Sequence, residues 1–219
     1  MRVWLPDAIT TTAPAIDRIF YIILWITGIV FVLVQATLVA FLVRYRHRAG
    51  RPAYYIHGNT FVEIVWTVIP TFILGTLACY NQQVWSQIHR TPPAPDLQVE
   101  IVGEQFAWNI RYAGPDGRFD TPDDVTTLNQ LHLPVGQTVL FHITSKDVIH
   151  SFFVPQFRLK QDAVPGLRSR LWVQPTATGN YEIACAELCG LGHYRMRGFL
   201  TIESPEAFAA WLATTAVTE

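Results

Sequence analysis

The sequence predicts a membrane-anchored, mainly β protein: an N-terminal two-helix transmembrane hairpin followed by a Greek-key β-barrel or sandwich. Three observations predict it. Two long apolar runs, 19–43 and about 60–80, flank a short basic segment. A proline-rich stretch, Thr91-Pro-Pro-Ala-Pro95, then interrupts the chain and cannot continue a helix. Beyond it, seven short β-rich runs alternate with turn residues between positions 97 and 202.

With 219 residues, half of them hydrophobic, and a mean hydropathy of +0.22, the chain can hold one globular domain and a membrane element. Positions 19–43 carry no charge, and at 1.5 Å per residue a helix of that length crosses a hydrocarbon core of roughly 30 Å with some tilt. The tail 1–18 holds Arg2, Asp7, Asp17 and Arg18 rather than a basic leader, and no small-residue cleavage site follows. An uncleaved span is therefore expected behind an extracytoplasmic tail. The loop 44–59 contains Arg44, Arg46, Arg48 and Arg51 without one acid, which assigns it to the cytoplasm. Both termini then face outward.

On that topology Glu63 lies at the cytoplasmic end of the second span, about one turn in. An acid there is either a functional group or a partner of the helix dipole. Pro70 is expected to kink this helix, and Cys79 to be a buried apolar side chain. The helical unit is taken as 19–90, the linker as 91–96, the β domain as 97–203 and a short C-terminal helix and tail as 204–219.

The β-rich runs are 97–102, 106–112, 138–144, 151–154, 170–173, 181–184 and 199–202, a spacing that suits a Greek-key sandwich or barrel. The insert 114–124 reads as a loop whose acids do not match calcium-loop spacing. Ser204-Pro205-Glu206 supplies an N-cap, N1 and N2 for a helix through about Leu212. Net charge is −1, but between 96 and 130 seven acids stand against Arg111 and Arg118. Those acids form either a surface for a basic partner or ordinary solvated positions.

Chemistry concentrates in Cys185-Ala-Glu-Leu-Cys189-Gly-Leu-Gly-His193-Tyr-Arg-Met196, with His150 upstream. Two thiols, two imidazoles and a thioether are soft donors, and Met argues for copper because structural zinc uses Cys, His and carboxylate. A mononuclear blue-copper site takes one Cys, so the second thiol is surplus to it; two thiolates bridging two coppers use every donor. The spacing also fits one face of a buried helix, but Gly190 and Gly192 each cost about 1 kcal/mol in a helix interior. A loop between two strands is expected instead. A Cys185–Cys189 disulfide and a Cys2His2 zinc site remain open alternatives, and each leaves Met196 without a purpose. Outside the cytoplasm a free thiolate pair would oxidise unless a metal held it.

His150-Ser-Phe-Phe-Val-Pro155, Lys160-Gln-Asp-Ala-Val-Pro-Gly166 and Cys185 to Met196, with Phe61-Val-Glu63-Ile-Val-Trp66-Thr67 in the second span, resemble the signatures of subunit II of the haem–copper cytochrome c oxidases. The likeness spans nearly the whole chain. It implies a cupredoxin-like CuA domain behind a transmembrane hairpin. By this resemblance Cys185 and Cys189 bridge two coppers, His150 and Met196 complete one, and His193 with the backbone carbonyl of Glu187 completes the other. The Glu187 side chain is similar to the carboxylate that reaches a magnesium or manganese ion at the boundary with subunit I. Glu63 falls on the family's acid at the mouth of a proton-uptake path.

The activity so implied is one-electron transfer from a cytochrome c type donor through CuA to the haem of subunit I, where dioxygen is reduced to water and protons are pumped. The implied partners are subunits I and III, the donor and the lipid bilayer of a bacterial inner membrane, with the CuA domain on the periplasmic side and no nucleic acid. One departure stands out: Gln105-Phe106-Ala107-Trp108 replaces the family's usual Gln-Trp-x-Trp. Phe106 and Trp108 are thus candidates for the point where electrons enter, and Asp147 for donor docking. No Cys-x-x-Cys-His occurs, so no haem is expected in this chain. A quinol-oxidase subunit II would lack the copper ligands. The CuA domain of another copper reductase would lack the hairpin, and a copper-delivery protein would not need Glu63.

Overall fold

The computed structural model describes residues 5–52, 54–89 and 94–216. Much of the expected linker, residues 90–93, and the outer ends of both tails lie outside the described residues. Two units result, one of residues 15–87 and one joining 1–14 to 88–219.

The helical unit contains α1 (Ala13–Arg44) and α2 (Thr60–His89). Both exceed the apolar runs that announce them, because hydropathy marks a span whereas polar residues such as Asn81, Gln82 and Gln83 propagate a helix equally well. At the start of α2 the Asn59 side chain accepts the Val62 N–H at 3.2 Å, an N-cap one turn ahead of Glu63. Pro70 lies inside this helix. Cys79, expected buried, is exposed on the surface of the isolated chain. Both helices are long and apolar enough to cross a membrane.

The second unit is a sandwich of two five-stranded sheets. Its strands are β1 (Leu97–Glu104), β2 (Ala107–Tyr112), β3 (Val125–Leu128), β4 (Gln130–Pro134), β5 (Val139–Ser145), β6 (His150–Val154), β7 (Leu159–Ala163), β8 (Ser169–Val173), β9 (Gly179–Cys185) and β10 (Arg197–Glu203). One sheet runs β3-β2-β1-β5-β8 and the other β4-β10-β9-β6-β7. Strands β1 and β5 pair in parallel, as do β4 and β10, so the chain crosses between sheets as a Greek key requires. Alternation drives the assembly: Val99, Ile101, Trp108, Ile110, Phe141 and Ile143 from one sheet meet Leu131, Leu133, Phe152, Val154, Ile183 and Leu200 from the other, all with almost no exposed surface.

Three strands were not expected from sequence. In β7 Leu159 and Ala163 are buried with Gln161 half-buried on the same face, while Lys160 and Asp162 are exposed, so the polar Gln161 interrupts the apolar alternation of this edge strand. β3 and β4 hid behind the acidic insert and are separated by Asn129 alone, whose φ of 60° turns the chain between sheets. The C-terminal α3 (Pro205–Ala216) starts as predicted, with Ser204 Oγ accepting the Ala207 N–H at 3.2 Å, but ends one turn later. Its Trp211 stacks on His132 at 3.9 Å. Residues of the N-terminal tail join this unit too: the Ile9 N–H donates to Gln156 O at 3.2 Å, and the Thr176 N–H to Ile9 O at 2.8 Å.

Candidate metal centre

Three connections meet at one end of the sandwich. The tight β1–β2 turn lies there because Glu104 pairs with Ala107; β5 runs parallel to β1, so its exit toward β6 lies there as well. The third connection leaves β9 at Cys185 and returns at Arg197, and pairing of Ala184 with Arg197 closes it at the base. The ligand segment is thus a loop between strands rather than a helix. One 3-10 turn, His193–Arg195, lies inside it, and the Cys185 N–H bonds the Met196 carbonyl at 3.3 Å.

Every donor expected from sequence converges on two sulfurs. Cys185 Sγ and Cys189 Sγ are 3.9 Å apart, and both cysteines are free. Around Cys185 stand His150 Nδ1 at 4.0 Å and the Glu187 carbonyl oxygen at 3.3 Å. Around Cys189 stand His193 Nδ1 at 3.6 Å and Met196 Sδ at 3.7 Å. His150, Cys189 and Met196 are buried. Metal–thiolate bonds of about 2.3 Å let two sulfurs up to roughly 4.6 Å apart share an ion, so the pair can bridge. Burial, reinforced by the neighbouring Cys185 sulfur, pushes the Cys189 thiol up to about 11, so an incoming ion must displace protons. The donor set suits copper: zinc has no use for the buried thioether, and a single blue copper none for the second thiol.

His150 opens β6 with no exposed surface, and its Nε2 lies 2.8 Å from Asp147 Oδ1. A carboxylate only accepts, which puts the ring proton on Nε2 and leaves Nδ1 free to ligate. Burial alone would raise the Asp147 pKa. Hydrogen bonds from His150 and from the N–H groups of Gln105 and Val148 outweigh that and hold it at about 2. Gly103 makes room for the imidazole, since a Cβ there would sit 2.8 Å from His150 Cδ2. Gly192 does the same for Phe106, whose ring would lie 2.5 Å from a Cβ at that position.

The two aromatic candidates separate. Phe106 is 38% exposed and packs on the ligand loop. Trp108 has no exposed surface and meets His150 edge-on at 6.0 Å, so of the two candidates for electron entry only Phe106 reaches the surface. Asp147, expected as a docking residue for a donor, is exposed and also bonds His150 Nε2. Among the residues that face outward here are three large apolar side chains, Leu188, Tyr194 and Leu191, the last at 96% exposure, and the charged Arg195. The Glu187 side chain is exposed too. Glu63 is exposed in the first turn of α2, in the other unit.

The seven acids do not form one face. Glu100 is buried between Arg111 and Arg168, each at 2.7 Å. Asp120 and Asp124 pair with Arg111, and Asp96 accepts the Thr138 N–H at 2.7 Å. The insert lies between Tyr112 and Val125, which pair at the end away from the metal loop, and only Glu104 stands beside that loop, paired with Lys146.

Sequence-family models match over both units. Residues 97–202 match the model described as cytochrome c oxidase subunit II, periplasmic domain, and residues 1–84 match that family's transmembrane domain. The chain belongs to the cytochrome c oxidase subunit II family. An alternative cytochrome c oxidase subunit 2 of Bradyrhizobium diazoefficiens is 36% identical over 95% of this chain and 82% of its own. The cytochrome c oxidase subunit 2 of Thermostichus vulcanus is 31% identical over 94% and 77%. The crystal structure of the periplasmic domain of subunit II of cytochrome oxidase from Bradyrhizobium japonicum superposes with a TM-score of 0.53 at 27% identity, covering 58% of this chain and 99% of that one. The β unit is accordingly a cupredoxin-like external domain, the helices its membrane anchor, and the chain a haem–copper oxidase subunit with a copper centre implied by its family.

Proposed function

We propose that this chain is the electron-accepting subunit of a proton-pumping cytochrome c oxidase of a bacterial inner membrane, taking electrons from a cytochrome c type donor at a dinuclear CuA centre and passing them to the haem of subunit I. The observation that carries this reading is the convergence of six donors on the Cys185–Cys189 sulfur pair. Cys185 and Cys189 would hold both coppers, His150 and Met196 would complete the ligands of one, and His193 with the Glu187 carbonyl those of the other. Such a pair, when bound, would supply one-electron chemistry with little change in bonding.

The protein's part is to hold the donors still. Two antiparallel strands clamp the loop at its base, and burial of His150, Cys189 and Met196 keeps water from the centre. Such enclosure suits a resident centre better than a delivery site, which needs exchangeable ligands. Phe106, packed on the ligand loop and exposed, is the point where electrons enter, and Trp108 supports His150 from inside. Glu63 opens the proton path, the Glu187 side chain shares a magnesium or manganese ion with subunit I, and subunit III completes the assembly.

Rapid mixing of the assembled oxidase with a reduced cytochrome c type donor tests this. The near-infrared copper band should bleach before the haem of subunit I is reduced. Haem reduction with no preceding copper bleaching would overturn the assignment.

A further inference from the structure

We propose that Gln105 and Asp147 form a clamp that positions ligands from two different loops and sets the reduction potential of the copper they hold. This rests on the copper reading above. Asp147 Oδ1 takes the Nε2–H of His150 at 2.8 Å, and its Oδ2 takes the backbone N–H of Gln105 at 2.7 Å. The Gln105 side chain reaches the other way, donating through Nε2 to the Cys189 carbonyl at 2.5 Å. A continuous chain therefore runs from His150 through Asp147 and Gln105 to Cys189. It joins a ligand at the start of β6 to a ligand after β9 by way of the β1–β2 turn, which contributes no ligand itself.

The clamp is itself fixed. The Val148 N–H holds Asp147 Oδ1 at 2.6 Å, and Ser145 Oγ contacts the same oxygen at 3.5 Å. The nearby Lys146 ammonium is engaged by Glu104 at 2.8 Å, so the Asp147 charge stays directed at the imidazole. Two consequences follow from its chemistry. An anionic acceptor on Nε2 makes Nδ1 a stronger donor and favours the more positive, oxidised state of the centre. The Gln105 amide fixes the Cys189 peptide, and with it the sulfur that both His193 and Met196 approach.

The test uses the full-length chain in detergent, loaded with copper and measured by spectroelectrochemistry, paramagnetic resonance and competition with a copper chelator. Asp147→Asn keeps the size and removes the charge; it should move the potential to more positive values and weaken copper retention about 10- to 100-fold. Gln105→Leu leaves the Gln105 N–H and Asp147 untouched; it should alter the copper hyperfine pattern and hasten copper loss, with a smaller shift of potential. If Asp147→Asn keeps the wild-type potential and retention and raises only the KM for the cytochrome donor, Asp147 is a docking charge and the clamp is wrong. Should that variant fail to fold, Gln105→Leu decides alone, since an unchanged hyperfine pattern and retention overturns the proposal. Failure of the dinuclear reading would show separately, in the copper content of the unsubstituted chain.

Discussion

At the metal end of the sandwich, Asp147 and Gln105 turn inward onto two ligands and the outermost residues are Leu188, Leu191 and Tyr194. Toward the other end, charge is plentiful but satisfies itself: Arg111 alone meets Glu100, Asp120 and Asp124. The metal end carries its exposed charge on the ligand loop itself, at Glu187 and Arg195, whereas the acid-rich end uses Arg111 to pin the 114–124 insert to the sheet. Density of acids along a chain locates neither a docking face nor a site. What counts is whether each carboxylate already has a partner.

The sharpest way to break this contrast is to remove a bridging sulfur. Cys189→Ser should abolish copper binding measured by atomic absorption, while the metal-free chain unfolds within about 0.5 kcal/mol of the original, because one small buried donor is exchanged for another of similar shape. Arg111→Met should do the reverse. Glu100 would be left buried with Arg168 alone, at a cost of about 2–3 kcal/mol in chemical unfolding, and copper content should not change. Smaller still is the effect of salt on electron delivery. With the insert remote from the metal loop and two of its acids paired with Arg111, the rate of copper reduction by a cytochrome donor should vary by less than about threefold between 50 and 200 mM salt, whereas docking on an acidic face would make it fall steeply. Asp120→Asn, at a side chain 82% exposed, should shift stability by no more than about 0.5 kcal/mol.

Much of this was legible in the sequence, for identifiable reasons. The hairpin could be read because a bilayer demands uninterrupted apolar length, and the ligand loop because Gly190 and Gly192 argue against a helix that the spacing of Cys185, Cys189, His193 and Met196 would otherwise suit. The seven recognised strands are rich in apolar residues; β7 is not, because its inward face carries the polar Gln161 between Leu159 and Ala163. The Asp147–Gln105 clamp was hidden for a different reason. Asp147 precedes His150 by three residues, a spacing that could have suggested a turn returning the carboxylate to the ring, but Gln105 lies 42 residues from Asp147 and 84 from Cys189; pairing of β1 with β5 brings it to the first, and only the packing of one sheet on the other brings it to the second. Trp108 and Phe106 could be named but not told apart, because Phe106 lies in the β1–β2 turn and stays exposed whereas Trp108 lies on the inward face of β2.

Copper stoichiometry, read together with the resonance spectrum of the loaded full-length chain, tests the central claim most directly. Two coppers per chain, with hyperfine splitting from an electron shared equally by both nuclei, is the result expected of the Cys185–Cys189 bridge. A single copper with splitting from one nucleus, or zinc bound in preference to copper, would contradict it.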